Sequence, residues 1–441
     1  MTEHPSIRRA YVAAAARDPG EAGFLQALET LYDSLGACLE ERPRYGTGRL
    51  LERLGEPEKA VVFPVLWTDS HGRPRQARGF FIQYSTALGP CRGGLAFRPD
   101  LDMDAAKALA LESTLENSLA GLPFGGGFFG ADAAPTGRDS GESLRFCQGF
   151  MEGLYPLLPR PFYPENWAGM ASRQELGYLV GQYERLAALS AVSFDRSLPA
   201  GQGPMPRWQA VGHGLCAFAE LALRHAGLSG LEGQAVLISG RDGPGPWAGE
   251  RAVRMGAHVV ALGDGTGCLY AKDGLPLSVL RRMAAQPGLP LLLWAIRAPG
   301  VEYRPGPGLW DISADAVFLC DGHGRLDANG ARQIAARRPA GIFEGVPRAC
   351  TALAAKTLAA SGTLFSPAIA SGAGGTVMAL SRANGLASQW EADRRLRAAM
   401  ETIFHTAWDE SVRDGRPGDL GLGARAAAFR RIADALLSRG W

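Results

Sequence analysis

The stretch from Ala235 to Asp264, AVLISGRDGPGPWAGERAVRMGAHVVALGD, decides the fold of the second half of the chain. Its first run, AVLISG, predicts a buried strand, WAGERAVRMG predicts a helix, and HVVALGD predicts a second strand. Further short apolar runs that suit strands follow as LPLLLWAI, DAVFLCD, PAGIFEG and LFSP. Strands that alternate with helices indicate a parallel, doubly wound sheet.

The first half of the chain has a different order of predicted helices and strands. FLQALETLYDSLGACLEE has the apolar spacing of helices, whereas AVVFPVLWTD and ARGFFIQYS predict two strands joined by a turn. A long amphipathic helix, DAAKALALESTLENSLAG, then runs into a glycine triplet. The Gly- and Pro-rich segment 196–207 is the predicted domain boundary, and the chain is predicted to be helical from about residue 370. We therefore expect an α/β protein with domains at 1–200 and 201–370, followed by C-terminal helices at 371–441.

Composition excludes several classes of partner. The net charge of +2 gives no electrostatic basis for binding nucleic acid or an anionic membrane, and no apolar run is long enough to span a bilayer. The seven cysteines form no CxxC pair, and the seven histidines are scattered, so we expect no metal site. Reduced, buried thiols are typical of a cytoplasmic protein.

The segment Pro123–Gly130, PFGGGFFG, raises a chemical question. Three consecutive glycines are expensive in conformational entropy, and such loops usually present a polar side chain to a ligand. Here the residue that follows the glycines is Phe128, with Phe129 behind it. We expect a glycine loop that has an aromatic ring where such loops usually present a polar side chain.

Motifs along nearly the whole chain resemble the glutamate dehydrogenase family, particularly its hexameric bacterial members. The motifs, in chain order, are LLERLGEPEKAVVFPVLW, STALGPCRGGLAF, LPFGGGFFGAD, RFCQGFMEGLY, LGYLVGQY, RWQAVGHG, EG at 344–345 and SGAGGTVMAL. The resemblance implies an N-terminal α/β domain for substrate binding and oligomerisation, a Rossmann-like nucleotide domain, and C-terminal helices that return to the first domain. It also implies hydride transfer between NAD(P) and an amino acid.

This chain departs from the family pattern at the positions where the resemblance implies substrate and catalytic groups. Arg92 replaces a lysine that holds a substrate carboxylate, Glu116 replaces a second lysine, and Phe128 replaces the catalytic lysine. The proton-transferring aspartate becomes Trp167 or Ala168, depending on the alignment, and Glu165 or Asn166 reaches the site only with a shifted backbone. Ala379 stands for a serine that binds the substrate side chain. We also expect Arg92 to pair with Glu116, and His213 to be a packing or capping residue.

The nucleotide site departs from the pattern as well. The fingerprint turn has Gly240, Gly243 and Gly245, but its second glycine is replaced by Asp242, whose charge would repel a phosphate. Asp264 stands where a ribose-binding acid is expected. The remaining positions that the resemblance implies are Val211 for a threonine, and Gly324 and Pro347 for asparagines near the nicotinamide.

These replacements predict a catalytically impaired pseudoenzyme that acts as a regulatory or structural subunit and binds NAD(P) weakly or not at all. By resemblance it assembles as a homo-hexamer or as a hetero-oligomer with an active paralogue. Two alternatives stay open. One is an NAD(P)-dependent glutamate or amino-acid dehydrogenase with a rearranged active site, and the other is a small-molecule sensor.

Overall fold

The computed structural model describes residues 4–47, 49–134, 140–158, 167–169, 173–187, 205–322, 326–383 and 388–440, with only the backbone at 167–169, 173 and 379–383. The chain divides into two compact units. Unit 1 comprises residues 1–203 and 428–441, and unit 2 comprises residues 204–427.

Unit 1 contains a five-stranded mixed sheet with helices. The helices are α1 (Pro5–Arg17), α2 (Ala22–Tyr32), α3 (Gly36–Glu41), α4 (Leu50–Leu54), α5 (Met103–Leu119), α6 (Ser140–Leu154) and α7 (Arg173–Leu186). The strands are β1 (Lys59–Thr68), β2 (Pro74–Ser85), β3 (Cys91–Phe97), β4 (Gly125–Ala131) and β5 (Trp167–Gly169), in the spatial order β1-β2-β4-β3-β5. Single 3₁₀ turns occur at 43–46 and 155–157.

The glycine triplet forms a strand, so the expectation of a loop was wrong. Gly125–Ala131 is the fully buried central strand β4, antiparallel to β2 and parallel to β3. A Cβ atom would lie 1.9 Å from the Ser85 carbonyl oxygen at Gly125, 2.0 Å from Thr114 Oγ1 at Gly126 and 2.1 Å from Cys91 Sγ at Gly127. Glycine is therefore required at these three positions because neighbouring backbone and side-chain atoms pack directly against the strand.

Aromatic packing holds one face of this sheet. Phe129 stacks on Phe81 with ring centroids 5.4 Å apart, and both belong to a core that includes Phe146 and Phe150 of α6. Fully burying each such ring stabilises the fold by about 2–3 kcal/mol. Helix α5 packs on β4 and begins at the N-cap Asp102, whose carboxylate accepts a hydrogen bond from the Ala105 amide.

Unit 2 contains a seven-stranded sheet flanked by helices. The strands are β6 (Ala235–Ser239), β7 (His258–Asp264), β8 (Gly267–Tyr270), β9 (Glu302–Pro305), β10 (Ala316–Leu319), β11 (Gly341–Glu344) and β12 (Leu364–Ser366). The helices are α8 (Arg207–His225), α9 (Gly245–Arg254), α10 (Leu277–Ala285), α11 (Leu291–Ile296), α12 (Ala328–Ala336), α13 (Ala352–Ala360), α14 (Ala368–Ser371), α15 (Gly374–Ala383), α16 (Gln389–Arg413) and α17 (Leu420–Ser438). A 3₁₀ turn occupies 308–311.

The predicted doubly wound sheet is confirmed in unit 2. The spatial order is β12-β11-β10-β6-β7-β8-β9; the first five strands are parallel, and β8 and β9 form antiparallel additions. The connections reverse direction at β6, which has β7 on one side and β10 on the other. In open sheets of this kind, ligands bind outside the carboxyl ends of the strands at such a reversal.

Two local expectations differ from the structure. Residues 291–296, read as a strand, form helix α11, because Pro290 starts a helix in which Leu291 and Trp294 are buried at a spacing of three. Residues 371–427 group with unit 2, since α15 and α16 pack on α8, and only residues 428–441 group with unit 1. Helix α17 therefore begins in one unit and ends in the other.

Candidate functional site

The sheet of unit 1 aligns two of the positions that are predicted to be substituted. Phe128 of β4 is paired with Gly94 of β3, and Gly94 is paired on its other side with Ala168 of β5. Adjacent strands lie about 4.8 Å apart, so the backbones of Phe128 and Ala168 are about 10 Å apart on one rung of the sheet. Trp167 is level with Gly93 instead. Of the two alignments considered for the missing aspartate, Ala168 is therefore the one level with Phe128.

Phe128 is a buried hydrocarbon side chain, with 2% of its surface exposed. Its ring lies beside Gly130, two residues further along β4. A Cβ atom on Gly130 would come within 2.9 Å of Phe128 Cε1. Such surroundings penalise an unpaired charge strongly. The position therefore has the environment of a packed core residue.

Arg92 is a buried cation in the neighbouring strand. Its Nη1 donates to Asn117 Oδ1 at 2.8 Å, and Asn117 Nδ2 donates in turn to the carbonyl oxygens of Arg92 and Gly125 at 3.0 and 2.7 Å. Asn117 thus ties helix α5 to strands β3 and β4. Glu116, the preceding residue of α5, is half-buried, and its pairing with Arg92 stays a prediction. Glu165 and Asn166 lie outside the described residues.

In unit 2, the predicted phosphate turn follows β6 and leads into α9. Gly240 has φ +107° and Gly243 has φ +62°, conformations that favour glycine. Gly245 begins α9, and a Cβ atom there would lie 1.9 Å from the Gly240 carbonyl oxygen. The glycine framework of the turn is therefore built as in a nucleotide fold. Pro246, however, provides no amide hydrogen in the first turn of α9.

The charged side chains of this turn form ion pairs and hydrogen bonds with other residues of the chain. Arg241 Nη1 lies 3.2 Å from Asp264 Oδ2, and Arg241 Nε lies 3.2 Å from Asp242 Oδ2. Asp242 Oδ1 accepts the Gly288 amide at 2.7 Å, and Asp264 Oδ1 accepts the amide and hydroxyl of Thr266 at 2.7 and 2.6 Å. The acid expected to bind a ribose is therefore engaged at both oxygens by its own chain.

This arrangement does not fit the usual pose of a dinucleotide. A carboxylate about 5 Å from a phosphate charge costs about 3 kcal/mol at an effective dielectric constant of about 20. Arg241 offsets part of that repulsion, but it must leave Asp264 and Asp242 to reach a phosphate. The same Asp264 must release Arg241 or Thr266 before it accepts a ribose hydroxyl.

The other predicted positions are placed as follows. Val211 is buried in α8, and Pro347 is exposed in the loop after β11, where its carbonyl oxygen would lie 3.8 Å from a Cβ atom on Gly322. Ala379 is in α15 with its side chain not described, and Gly324 lies outside the described residues. The loops at 320–322 and 345–347 are thus neighbours at the carboxyl edge of the sheet.

Glu344 is a buried acid that the sequence identifies only as part of the motif EG at 344–345. Its carboxylate accepts hydrogen bonds from the Cys350 amide, the Cys350 thiol and the Ala368 amide, at 3.0–3.2 Å. Burial raises the pKa of Glu344, and the three donors oppose that effect. Because these donors come from two separate loops, Glu344 holds the edge of the sheet together.

Of the two roles expected for His213, packing agrees with its burial, whereas capping is wrong. Helix α8 begins at Arg207, so His213 lies in the second turn and caps nothing. It is 8% exposed and sits between Glu250 of α9 and Asp393 of α16. These partners are 37 and 180 residues away in sequence, and no local pattern could have identified them.

The described residues contain no group of three or more His, Cys, Asp or Glu side chains that could hold a metal ion. Of the helices in the described part of the chain, none has both the length and the hydropathy needed to cross a bilayer.

Comparisons with known proteins agree with this architecture. The family model described as Glu/Leu/Phe/Val dehydrogenase, dimerisation domain, matches residues 57–185, and that of Glutamate/Leucine/Phenylalanine/Valine dehydrogenase matches residues 203–440. The NADP-specific glutamate dehydrogenase of Salmonella typhimurium is 34% identical over 434 residues, covering 96% of each chain. The NAD-specific glutamate dehydrogenase of Bacteroides fragilis is 28% identical over 99% of each chain.

Solved structures give the same result. Plasmodium falciparum glutamate dehydrogenase superposes with a TM-score of 0.89 at 27% identity, covering 99% of this chain and 95% of that one. A hetero-hexameric glutamate dehydrogenase from Thermus thermophilus shares the fold, with a TM-score of 0.77 at 24% identity over 93% of this chain and 97% of that one. Because the two family models together cover well over half of its length, the chain belongs to the Glu/Leu/Phe/Val dehydrogenase family.

Proposed function

We propose that this member of the family is catalytically impaired and serves as a regulatory or structural subunit. The observation that carries the proposal is that Phe128, which is buried in β4, and the backbone of Ala168 in β5 lie at the same level of the unit 1 sheet. A phenyl ring and a methyl group can neither hold nor transfer a proton. Loss of one general acid or base typically costs about 10²–10⁴ in rate.

Weak cofactor binding is part of the same proposal. NAD(P), when bound to a member of this family, supplies the hydride acceptor or donor. Here Arg241 is paired with both Asp242 and Asp264, so the turn that would face the phosphates and the ribose keeps one net negative charge. Calorimetry with NADPH tests this inference. We expect Asp242→Gly to bind NADPH at least tenfold more tightly than the unmodified protein, because it removes the repulsion and releases Arg241. The exposed Asp273→Gly is the matched control, and micromolar binding by the unmodified protein would contradict the inference.

Assembly is the function that the retained framework supports. Strand β1 is ten residues long and lies at the edge of its sheet, with Val62 and Leu66 exposed at 49% and 60%. An exposed apolar edge of this length favours pairing with another chain. We infer that the partner is a second copy or an active paralogue, since one relative of this fold is named a hetero-hexamer. The free cysteines suit assembly in the cytoplasm.

One assay tests the catalytic proposal. The purified full chain is mixed with 2-oxoglutarate, ammonium and either NADPH or NADH, and the absorbance of the reduced nicotinamide is followed. The Salmonella typhimurium enzyme, assayed in parallel, is the positive control. We expect no turnover above background. A rate that saturates with 2-oxoglutarate would overturn the proposal and favour a dehydrogenase with a rearranged site, for which Glu165→Gln is the first variant to measure.

The subunit role needs a separate measurement. The tagged chain is recovered from its native host and its partners are identified by mass spectrometry and native mass determination. We expect a closed assembly containing further copies or a related dehydrogenase. Recovery of the monomer alone would contradict the role, whatever the activity assay gives.

A further inference from the structure

A cavity of about 540 Å³ lies within unit 2, among α8, α9, α10 and the first turns of α16. Its volume is in the range of sites that hold a small molecule. Its lining includes arginines of α9 and α10 together with Trp247 and Trp390. We call it the α8–α16 pocket.

His213 reaches this pocket without a hydrogen bond. Its Nδ1 is 3.5 Å from Asp393 Oδ1 and its Nε2 is 3.7 Å from Glu250 Oε2, and neither ring nitrogen has a hydrogen-bond partner among the described residues. Buried polar atoms of native proteins are usually bonded to protein, water or ligand. His213 is more than nine-tenths buried and lines the cavity, with each of its ring nitrogens facing a carboxylate.

The charges around the pocket favour an anion. Arg251, Arg254 and Arg281 oppose Glu250 and Asp393, which leaves one positive charge with His213 neutral and two with His213 protonated. Burial opposes ionisation of Glu250, but contacts with His213, Arg254 and Arg281 lower its pKa to about 2. Contact with His213, followed by Arg251 and Arg397, lowers the pKa of Asp393 to about 2. Both acids are therefore charged at neutral pH, and the three arginines still leave a net positive charge around the pocket.

Two of the arginines can still bind a ligand. Nε of Arg254 and Nε of Arg281 both contact Glu250 Oε1. The side chains of Arg254 and Arg281 are 48% and 51% exposed, and both line the pocket. A guanidinium presents paired donors that match the oxygens of a carboxylate or phosphate.

The tryptophans of the pocket provide a second kind of contact for a ligand. Trp390 is the second residue of α16 and is 67% exposed, which is unusual for so large an apolar side chain. The Arg394 guanidinium lies over its ring, 4.8 Å from the centroid. A planar ring can stack on the exposed indole, where offset stacking contributes about 0.5–1.5 kcal/mol.

We propose that the α8–α16 pocket binds a small oxyanion that carries a planar ring. Arg254 and Arg281 hold the carboxylate or phosphate, and Trp390 stacks on the ring. The proposal concerns a site built wholly within unit 2 and does not depend on whether the chain turns over an amino acid.

Calorimetry on the full chain tests this site. The probes are 3-phenylpropionate, a nucleoside monophosphate, inorganic phosphate and uncharged adenosine. We expect one or both ring-bearing anions to bind with a Kd of about 1 mM or lower, and inorganic phosphate and adenosine to bind at least tenfold more weakly. The better of the two ring-bearing probes identifies the anionic group.

Variants make the assignment specific. Arg281→Gln and Trp390→Ala should each weaken binding about tenfold; Trp390 is exposed enough for its replacement to leave the fold intact, which thermal unfolding checks. Arg224→Gln, an exposed arginine of α8 paired only with Glu220 among the contacts described, is the control and should bind like the unmodified chain. Equal binding by all variants, no binding by either ring-bearing anion, or equally tight binding of inorganic phosphate would overturn the proposal.

Discussion

Replacing Phe128 by lysine tests whether this position is a packed core site or a vacant place for a catalytic ammonium. The ring is 2% exposed in the central strand of unit 1, between Ile82 and Gly94 on the flanking strands. Phe128→Met is the matched control, because methionine has nearly the shape of lysine without its charge. The difference between the two variants isolates the cost of burying the ammonium.

The magnitude follows from the pKa of lysine. A side chain with an ordinary pKa of about 10.4 that must stay neutral at pH 7 loses about 4.6 kcal/mol, at 1.36 kcal/mol per unit. The loss of the ring, shared with Phe128→Met, adds about 1–1.5 kcal/mol. Phe128→Lys should therefore lose about 6 kcal/mol, a large part of the 5–15 kcal/mol that stabilises a typical domain.

Urea unfolding followed by circular dichroism measures both variants. Buried lysine has a lowered pKa, so its penalty falls as pH rises; the gap between Phe128→Lys and Phe128→Met should shrink by about 1.4 kcal/mol per unit between pH 7 and 10. Equal stability of the two variants at pH 7 would refute the reasoning, since it would mean that a polar place for an ammonium persists. Glutamate turnover gained by Phe128→Lys alone would refute it as well.

Three further predictions concern packing, titration and assembly. Gly126→Ala should destabilise unit 1 by at least about 2 kcal/mol because its Cβ would overlap helix α5, whereas Gly20→Ala, with nothing within 4 Å, should stay within about 0.5 kcal/mol in the same urea assay. His213 has a pKa raised above its ordinary value, since Asp393 and Glu250 outweigh the opposing effect of burial. Its stabilisation is complete below about pH 6.5 and is lost as pH rises through the folded-state pKa, so His213→Gln should cost more at pH 6 than at pH 9, and a pH-independent cost would contradict this. Val62→Lys with Leu66→Lys should lower the assembled mass in analytical ultracentrifugation, and an unchanged mass would exclude β1 as an interface.

Much of the architecture is readable from the chain itself. The alternation of apolar strands and amphipathic helices in 235–264 specifies the parallel sheet of unit 2, because periodicity is a local property. The substitutions at Phe128 and Asp242 are predictions of the same kind, since they rest on the order of the motifs along the chain.

Short apolar segments and glycines are where sequence reasoning fails. LLLWAI has the composition of a strand, yet it forms α11 because a proline starts it and only one side of it is buried. The triplet 125–127 has the composition of a loop, yet it forms a central strand, because what requires glycine there is contact with β2, β3 and α5. Periodicity cannot report contacts with elements that are distant in sequence.

The sequence by itself therefore determined the fold class and the family, and it predicted which residues replace the catalytic groups. Only the tertiary structure decided that Phe128 and Ala168 lie at the same level of one sheet. It also decided that Arg241 pairs with Asp264, and that His213 lies between two acids beside a pocket. The physical reason is that charge pairing and burial depend on distances in space, and these are set by the packing of strands and helices far apart along the chain.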